Sequence, residues 1–312
     1  MNFVRFDPPP ALAGFGVVAV RDSGSLALGL SGPVLDAEES GGALAGPDDP
    51  EARRRDRYGT LALIAARQAL DQAQRGADAS GERCGVMIGT THASAERNGR
   101  YAQHLADTGA ALSPSLFVRT TSGAAAADIA FAFRLGGPGQ TFVSGWTAGA
   151  EALAAAARAV SRGAADLMIA GGVEVPGPIF GRSGPALMEG AAMTVVVRDA
   201  APECPRLLAY GRGFGGPAPG DIDAAREAAR AFDCGAIFLG NTREGDPWDR
   251  SSDFASARAS EASVRRSVMG EAVGPLGAAG VIAQCAGAAE FAGRRLVLVR
   301  DPSGEIAALV LG

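Results

Sequence analysis

SPSLFVRTTSGAAAADIAFAFRLGGPGQTFVSGWTAGAEALAAAARAVSRGAADLMIAGGVEV occupies residues 113–175 and sets the architecture of the chain. Its run AAAADIAFAFRL (124–135) predicts a helix, closed by the Gly-Gly-Pro-Gly turn at 136–139. QTFVSG (140–145) predicts a strand, Thr147 to Arg162 a second alanine-rich helix, and DLMIAGGVEV (166–175) a second strand. Helices with side chains this narrow can lie deep between two layers, with backbones close together.

The same alternation continues on both sides. Upstream, FGVVAV (15–20) predicts a strand, and residues 21–56 an irregular connection rich in Gly, Pro and acids that ends in EARRRDR. Tyr58 to Gln74 predicts a helix with Leu61, Ile64, Ala65 and Ala69 on its buried face. CGVMIGT (84–90) predicts a buried strand, followed by a helix over about 93–108. Downstream, strands are expected at 191–199, 206–214 and 234–241, and helices at 221–232, 254–268 and 276–292. RRLVLVRD (294–301) and EIAALVLG (305–312) predict a closing hairpin around Pro302-Ser303-Gly304. The pattern is that of an α/β protein built from two fused halves, 1–200 and 201–312, with helices sandwiched between sheets.

Composition narrows the function. The net charge of -5 excludes a basic nucleic-acid surface. All 29 basic residues are arginine, which excludes a Schiff-base or phosphate-loop lysine. The cysteines at 84, 204, 234 and 285 have neither zinc-site nor redox-pair spacing; no metal or cofactor is expected, and free thiols imply a reduced, cytoplasmic setting. MNFVRFDPPP lacks the apolar segment of a signal peptide, and no run is apolar enough to span a membrane.

The 113–175 segment resembles the central stretch of β-ketoacyl synthases: an apolar helix ending in a Gly-Pro turn, a strand, a nucleophile elbow, a long helix, and a strand ending in Ala-Gly-Gly. DRYGTLALIAARQAL resembles the family's first core helix and CGVMIGT the strand after it. EGAAMTVVV (189–197) and GPLGAAGVIAQ (274–284) resemble two later motifs. The resemblance implies a thiolase-like fold in α-β-α-β-α layers. The stretch between Pro176 and Glu189 is shorter than the family's, and 21–56 bears little likeness to it.

The residues that the family uses for condensation are replaced. Its nucleophilic cysteine corresponds to Trp146 in FVSGWTAGAEAL; an indole is neither nucleophile nor base. A register shifted by one puts Thr147 there, a hydroxyl for which the sequence offers no neighbouring base. Of its two histidines, which stabilise the enolate, the first, at a strand end, corresponds to Phe238 and the second to Gly274; its lysine corresponds to Met269. His92, after a strand, reads as a loop residue bonded to backbone or water, and His104 as solvated. The glycine runs at 136–139 and 211–216 lack the order of a dinucleotide fingerprint, and Glu38-Glu39 and Asp48-Asp49 read as solvated charge.

The resemblance also implies a role. Family members dimerise through the strand before the elbow, here Gln140 to Ser144 with Thr141 and Val143, and the preceding segment lines the partner's acyl tunnel. That segment is Phe117 to Gly123, with Thr121 first among the lining candidates Phe117, Thr120, Thr121 and Ser122. The expected function is a non-catalytic, chain-length-factor-like subunit that pairs with an active ketosynthase in type II polyketide, aryl-polyene or fatty-acid-like biosynthesis. An acyl carrier protein is a further expected partner, with Arg53-Arg54-Arg55 as one place for it to dock. The alternatives are a homodimeric scaffold for acyl groups or carrier protein, and an acyltransferase working through Thr147 or a cysteine.

Overall fold

Helix α1 (Arg57–Gln72) starts where the Asp56 carboxylate accepts the Gly59 N–H at 2.9 Å, satisfying one of the free donors of the first turn. Its Leu61, Ile64, Ala65 and Ala69 are buried, the face that the spacing predicts. The helix lies on strand β2 (Ala11–Val20) so closely that a Cβ at Gly16 would collide with the Ala65 carbonyl. The structure, a computed structural model, describes residues 1–20, 55–76, 79–110, 114–175, 189–214, 227–240, 263–266 and 277–312.

Eleven strands form two sheets among the described residues. The first contains β2, β3 (Cys84–Thr90), β4 (Gly139–Val143), β5 (Leu167–Glu174) and β6 (Glu189–Val197), in the order β2-β6-β5-β3-β4. The second contains β1 (Asn2–Arg5), β7 (Leu207–Phe214), β8 (Ala236–Gly240), β9 (Ser263–Arg266), β10 (Arg295–Arg300) and β11 (Glu305–Leu311), in the order β1-β7-β11-β10-β8-β9. Without β1, the two orders are the same walk through five strands. The first, fifth and fourth strands pair antiparallel, and the fourth, second and third pair parallel. β3 and β5 are buried along their whole length, which is why they read as unbroken apolar runs rather than alternating ones.

The other helices are α2 (Ala95–Thr108), α3 (Pro114–Phe117), α4 (Ala124–Phe133), α5 (Ala148–Ser161) and α6 (Gly280–Ala289), with a helical stretch at 227–231. α5 and α6 hold equivalent places in the two halves and share one core between the sheets with Met168, Val196, Val297 and Leu309. α1 and α4 pack on the outer face of the first sheet. Ala228, Ala229 and Phe232 pack on the outer face of the second. The layers are therefore helix, sheet, helix, sheet, helix. Alanine makes the central layer this thin: a Cβ at Gly149 of α5 would strike the Ala278 carbonyl just before α6. Burying side chains such as Leu153, Met168 and Ile282 stabilises the core by roughly 1.5–3 kcal/mol each.

Two expectations need correction. Residues 263–266 are strand β9, not part of a helix over 254–268: the segment pairs parallel with β8 as the sheet edge, and that tertiary pairing overrides the Ala/Ser/Arg helix signal. β1, not expected at all, pairs antiparallel with β7. The rest of 254–268, the first part of the expected 221–232 helix and nearly all of the 21–56 connection lie outside the described residues.

Candidate functional site

The site forms where the first turns of α5 and α6 meet the ends of β10 and β5. Gly145 has φ 77°, a value that glycine adopts without strain, and it turns the chain from β4 into the helical turn Gly145–Thr147. The backbone N–H of Trp146 then donates to Asp301 Oδ2 at 2.7 Å, just past the end of β10. The other half repeats this arrangement. Gly277 has φ 52°, and the N–H of Ala278 donates at 3.2 Å to Glu174 Oε2, at the end of β5. A Cβ at either glycine would collide with the carboxylate it faces. Each half thus presents the N-terminal donors of its central helix to an acid from the other half. These paired acids join the halves at their centre.

Glu174 is wholly buried and also accepts the N–H groups of Thr91 at 3.0 Å and His92 at 3.1 Å, and the Thr90 hydroxyl at 3.3 Å. His92 Nδ1 lies 3.3 Å from the same carboxylate, so this histidine is a latch residue rather than one bonded only to backbone or water. His104 lies half-buried on α2, well away in sequence from both latches.

Trp146 is buried, and Thr147 is completely inaccessible. The Thr147 hydroxyl donates to Glu305 Oε2 at 3.1 Å, which supplies the neighbouring carboxylate that the sequence did not reveal. Glu305 is paired with Arg212, whose Nη1 also lies 3.0 Å from Glu151 of α5. Burial pushes the Glu151 carboxyl up, and it pushes the nearby Tyr210 hydroxyl up to about 12. The elbow therefore faces Asp301, Glu305 and Glu151, with one arginine between them. A developing oxyanion needs unoccupied donors and positive potential. Here the Trp146 donor is already committed and the neighbouring groups are acidic.

Phe238 stands third in β8, two residues short of the strand end where it was expected, and its ring packs on Phe291 with centroids 5.2 Å apart. Mid-strand burial in the central core explains this position. No histidine occupies any position of β8. Met269 and Gly274 lie outside the described residues. Cys84, Cys234 and Cys285 are buried, with burial raising the Cys285 thiol to about 12, so none is an activated nucleophile. Among the described residues, no cluster of His, Cys, Asp and Glu could hold a metal, and no helix is long and apolar enough to cross a membrane.

Among the described residues, β4 is an edge strand that pairs with β3 alone. Val143 on it, Phe131 of α4 and the successive Phe117 and Val118 are exposed, Phe131 by 84%. Thr121 is exposed, and Thr120 and Ser122 are partly so. Their turn is held by Thr120 Oγ1 donating to the Phe117 carbonyl at 2.7 Å and by the Tyr58 hydroxyl donating to the Ser122 carbonyl at 3.2 Å. Thr141 is partly buried. Of the six expected interface residues, Thr141 and Val143 lie on β4, and Phe117, Thr120, Thr121 and Ser122 lie in the segment before α4. Nearby, a cleft of about 280 Å³ is lined by Arg55, Arg57, Arg97 and Arg100, with Asp56 and Glu96 among them. Arg55 lies 3.9 Å from buried Asp128, whose Oδ1 also accepts from Arg119 at 2.5 Å.

A duplicated α/β half, central alanine-rich helices and an elbow at the start of the first of them define a ketosynthase-type fold. Residues 21–198, more than half of the chain, match the model of the β-ketoacyl synthase N-terminal domain; the chain belongs to the β-ketoacyl synthase family. It is 33% identical over 131 residues to 3-oxoacyl-[acyl-carrier-protein] synthase 2 of Staphylococcus aureus (strain N315), over 41% of this chain and 32% of the relative. The match therefore spans about a third of that curated relative's length. The ishigamide ketosynthase/chain length factor structure superposes with a TM-score of 0.74 at 23% identity, over 97% of this chain and 99% of that one. A type II PKS acyl-carrier protein in complex with its ketosynthase (AntDE:AntF) gives 0.75 at 15% identity, over 99% of each chain. The ketosynthase ApeO in complex with its chain length factor ApeC, from Xenorhabdus doucetiae, gives 0.68 at 14% identity, over 97% of this chain and 98% of that one. These likenesses establish the thiolase-like ketosynthase fold.

Proposed function

We propose that this chain is a non-catalytic ketosynthase subunit that pairs with an active β-ketoacyl synthase and contributes wall residues to its acyl tunnel. One observation carries the reading: at the elbow, the side chain is an indole and the backbone donor is spent on Asp301. What remains is a dimer surface. Among the described residues the outer edge of β4 pairs with no strand and so can add one, and Phe117, Val118, Phe131 and Val143 are large apolar side chains left exposed, as interface residues are before assembly. The solved ketosynthase/chain length factor pairs support this assembly. In it, Phe117, Thr120, Thr121 and Ser122 reach toward the partner. Small hydroxyl side chains there leave room for a long chain, and bulk would shorten it.

The cleft bounded by Arg55, Arg57, Arg97 and Arg100 suits an acidic carrier protein, as the fold-level likeness to a ketosynthase bound to its acyl-carrier protein supports. The test is product length. Thr121→Trp in the reconstituted pair shortens the polyketide or acyl product, while the chain alone elongates nothing. Unchanged products, or elongation by the isolated chain, overturn the reading. One observation favours a second reading, an acyltransferase: Thr147 has the carboxylate of Glu305 at 3.1 Å. Its complete burial weighs against this. Intact-mass detection of an acyl adduct lost in Thr147→Ala would establish it.

A further inference from the structure

Arg295 is the one arginine in the buried class among the described residues, at 6% exposure. It starts β10, with its side chain on the face shared by Val297 and Val299, toward the end of α6 remote from the elbow. Its partners are carbonyls: Nη1 donates to Gly293 at 2.6 Å and Nη2 to Ala289 at a long 3.4 Å, while Nε is buried with no partner. Elsewhere this chain gives its partly buried guanidiniums carboxylates: Arg119 has Asp128, and Arg57 has Glu189. Carbonyls at a helix C-terminus orient the Arg295 guanidinium but carry no full charge to balance it. Burial accordingly pushes its pKa below the usual arginine range.

Arg295 lines a groove of about 620 Å³ between α6 and the segment joining the two halves. A second guanidinium, exposed Arg294, stands in the same groove and donates to the Phe232 carbonyl at 3.2 Å. Leu208, Phe291, Pro202 and Pro205 supply apolar wall. Glu203 and Glu290, exposed at the rim, disfavour a multiply charged anion. From this geometry we infer that the groove binds a small monoanionic carboxylate with a short apolar tail. The head pairs with Arg295 and Arg294, and the tail lies against Leu208 and Phe291. The inference is independent of the dimer reading, because the groove lies at the opposite end of α6 from the elbow.

Cys204 lines the groove and is the partly exposed cysteine, the other three being buried, so its alkylation reports occupancy. The probes are hexanoate, its neutral counterpart hexanamide, and inorganic phosphate, each added to the full chain during iodoacetamide labelling read by peptide mass. Hexanoate at about ten times its Kd is expected to slow labelling of Cys204 by about tenfold, with hexanamide and phosphate far less effective. Arg295→Met abolishes the protection and Arg294→Ala weakens it. No protection by hexanoate, equal protection by hexanamide or phosphate, or protection surviving in folded Arg295→Met overturns the proposal. The comparison of probes on the wild-type chain decides it even if Arg295→Met does not fold.

Discussion

Asp301 and Glu174 have the same task in the two halves, yet they are embedded to different depths. Asp301 accepts one elbow N–H and, through Oδ1, the Ser303 N–H at 2.8 Å of its own hairpin turn. Glu174 accepts from Thr91, His92 and Ala278 together. Each buried donor left without an acceptor costs about 1–3 kcal/mol. Asp301→Ala is therefore expected to lower the free energy of urea unfolding by about 1–3 kcal/mol, and Glu174→Ala by more. Equal small losses would contradict the latch. The same residues govern attempts to restore chemistry. Trp146→Cys is expected to take up no acyl group from an acyl thioester, as intact mass would read, because Asp301, Glu305 and Glu151 still surround the elbow. The sequence displayed the missing nucleophile at Trp146. It could not display Asp301 or Glu305 as elbow partners, since 155 and 158 residues separate them from Trp146 and Thr147.

At the level of elements, legibility followed packing. β3 is expected over 84–90 and lies at those residues, and α1, α4 and α5 lie within three residues of their expected ends, because β3 is an unbroken apolar run and each helix is a long alanine-rich one. β1 and β9 escaped because both are short edge strands defined by a neighbour rather than by their own residues. The edge strand β4 is the element on which the proposed pairing turns. Phe131→Ser and Val143→Lys, at exposed positions, are expected to change the stability of the isolated chain by about 0.5 kcal/mol or less. They are also expected to weaken association with the partner at least tenfold, as analytical ultracentrifugation of the mixture would read. Association unaffected by both would place the interface elsewhere.

For the molecule as a whole, two identical five-strand walks enclose one alanine-rich central layer, and closing them buries ionisable groups in their neutral form. The Tyr210 hydroxyl is raised to about 12, and burial raises the Tyr58 hydroxyl as well. An acid whose pKa is raised by folding favours the folded state below its unfolded value, and that stability is lost as pH climbs through the folded value. For Tyr210 the window runs from the ordinary phenol value of about 10 up to about 12, and Tyr58 shifts in the same direction. Urea midpoints are expected to fall across that window, and absorbance at 295 nm should show Tyr58 and Tyr210 ionising late in the native chain; a common titration of all three tyrosines near the ordinary value would contradict this. The duplicated architecture was visible in the alternating pattern. A pairing with another subunit is what the family resemblance implies, and it remains the proposal to be tested. Native mass spectrometry of the chain co-expressed with an active ketosynthase from the same genome tests the proposed pairing most directly. The account predicts a 1:1 complex that separates when Phe131 or Val143 is replaced. A chain that stays alone beside that ketosynthase, or that forms only its own dimer, would contradict it.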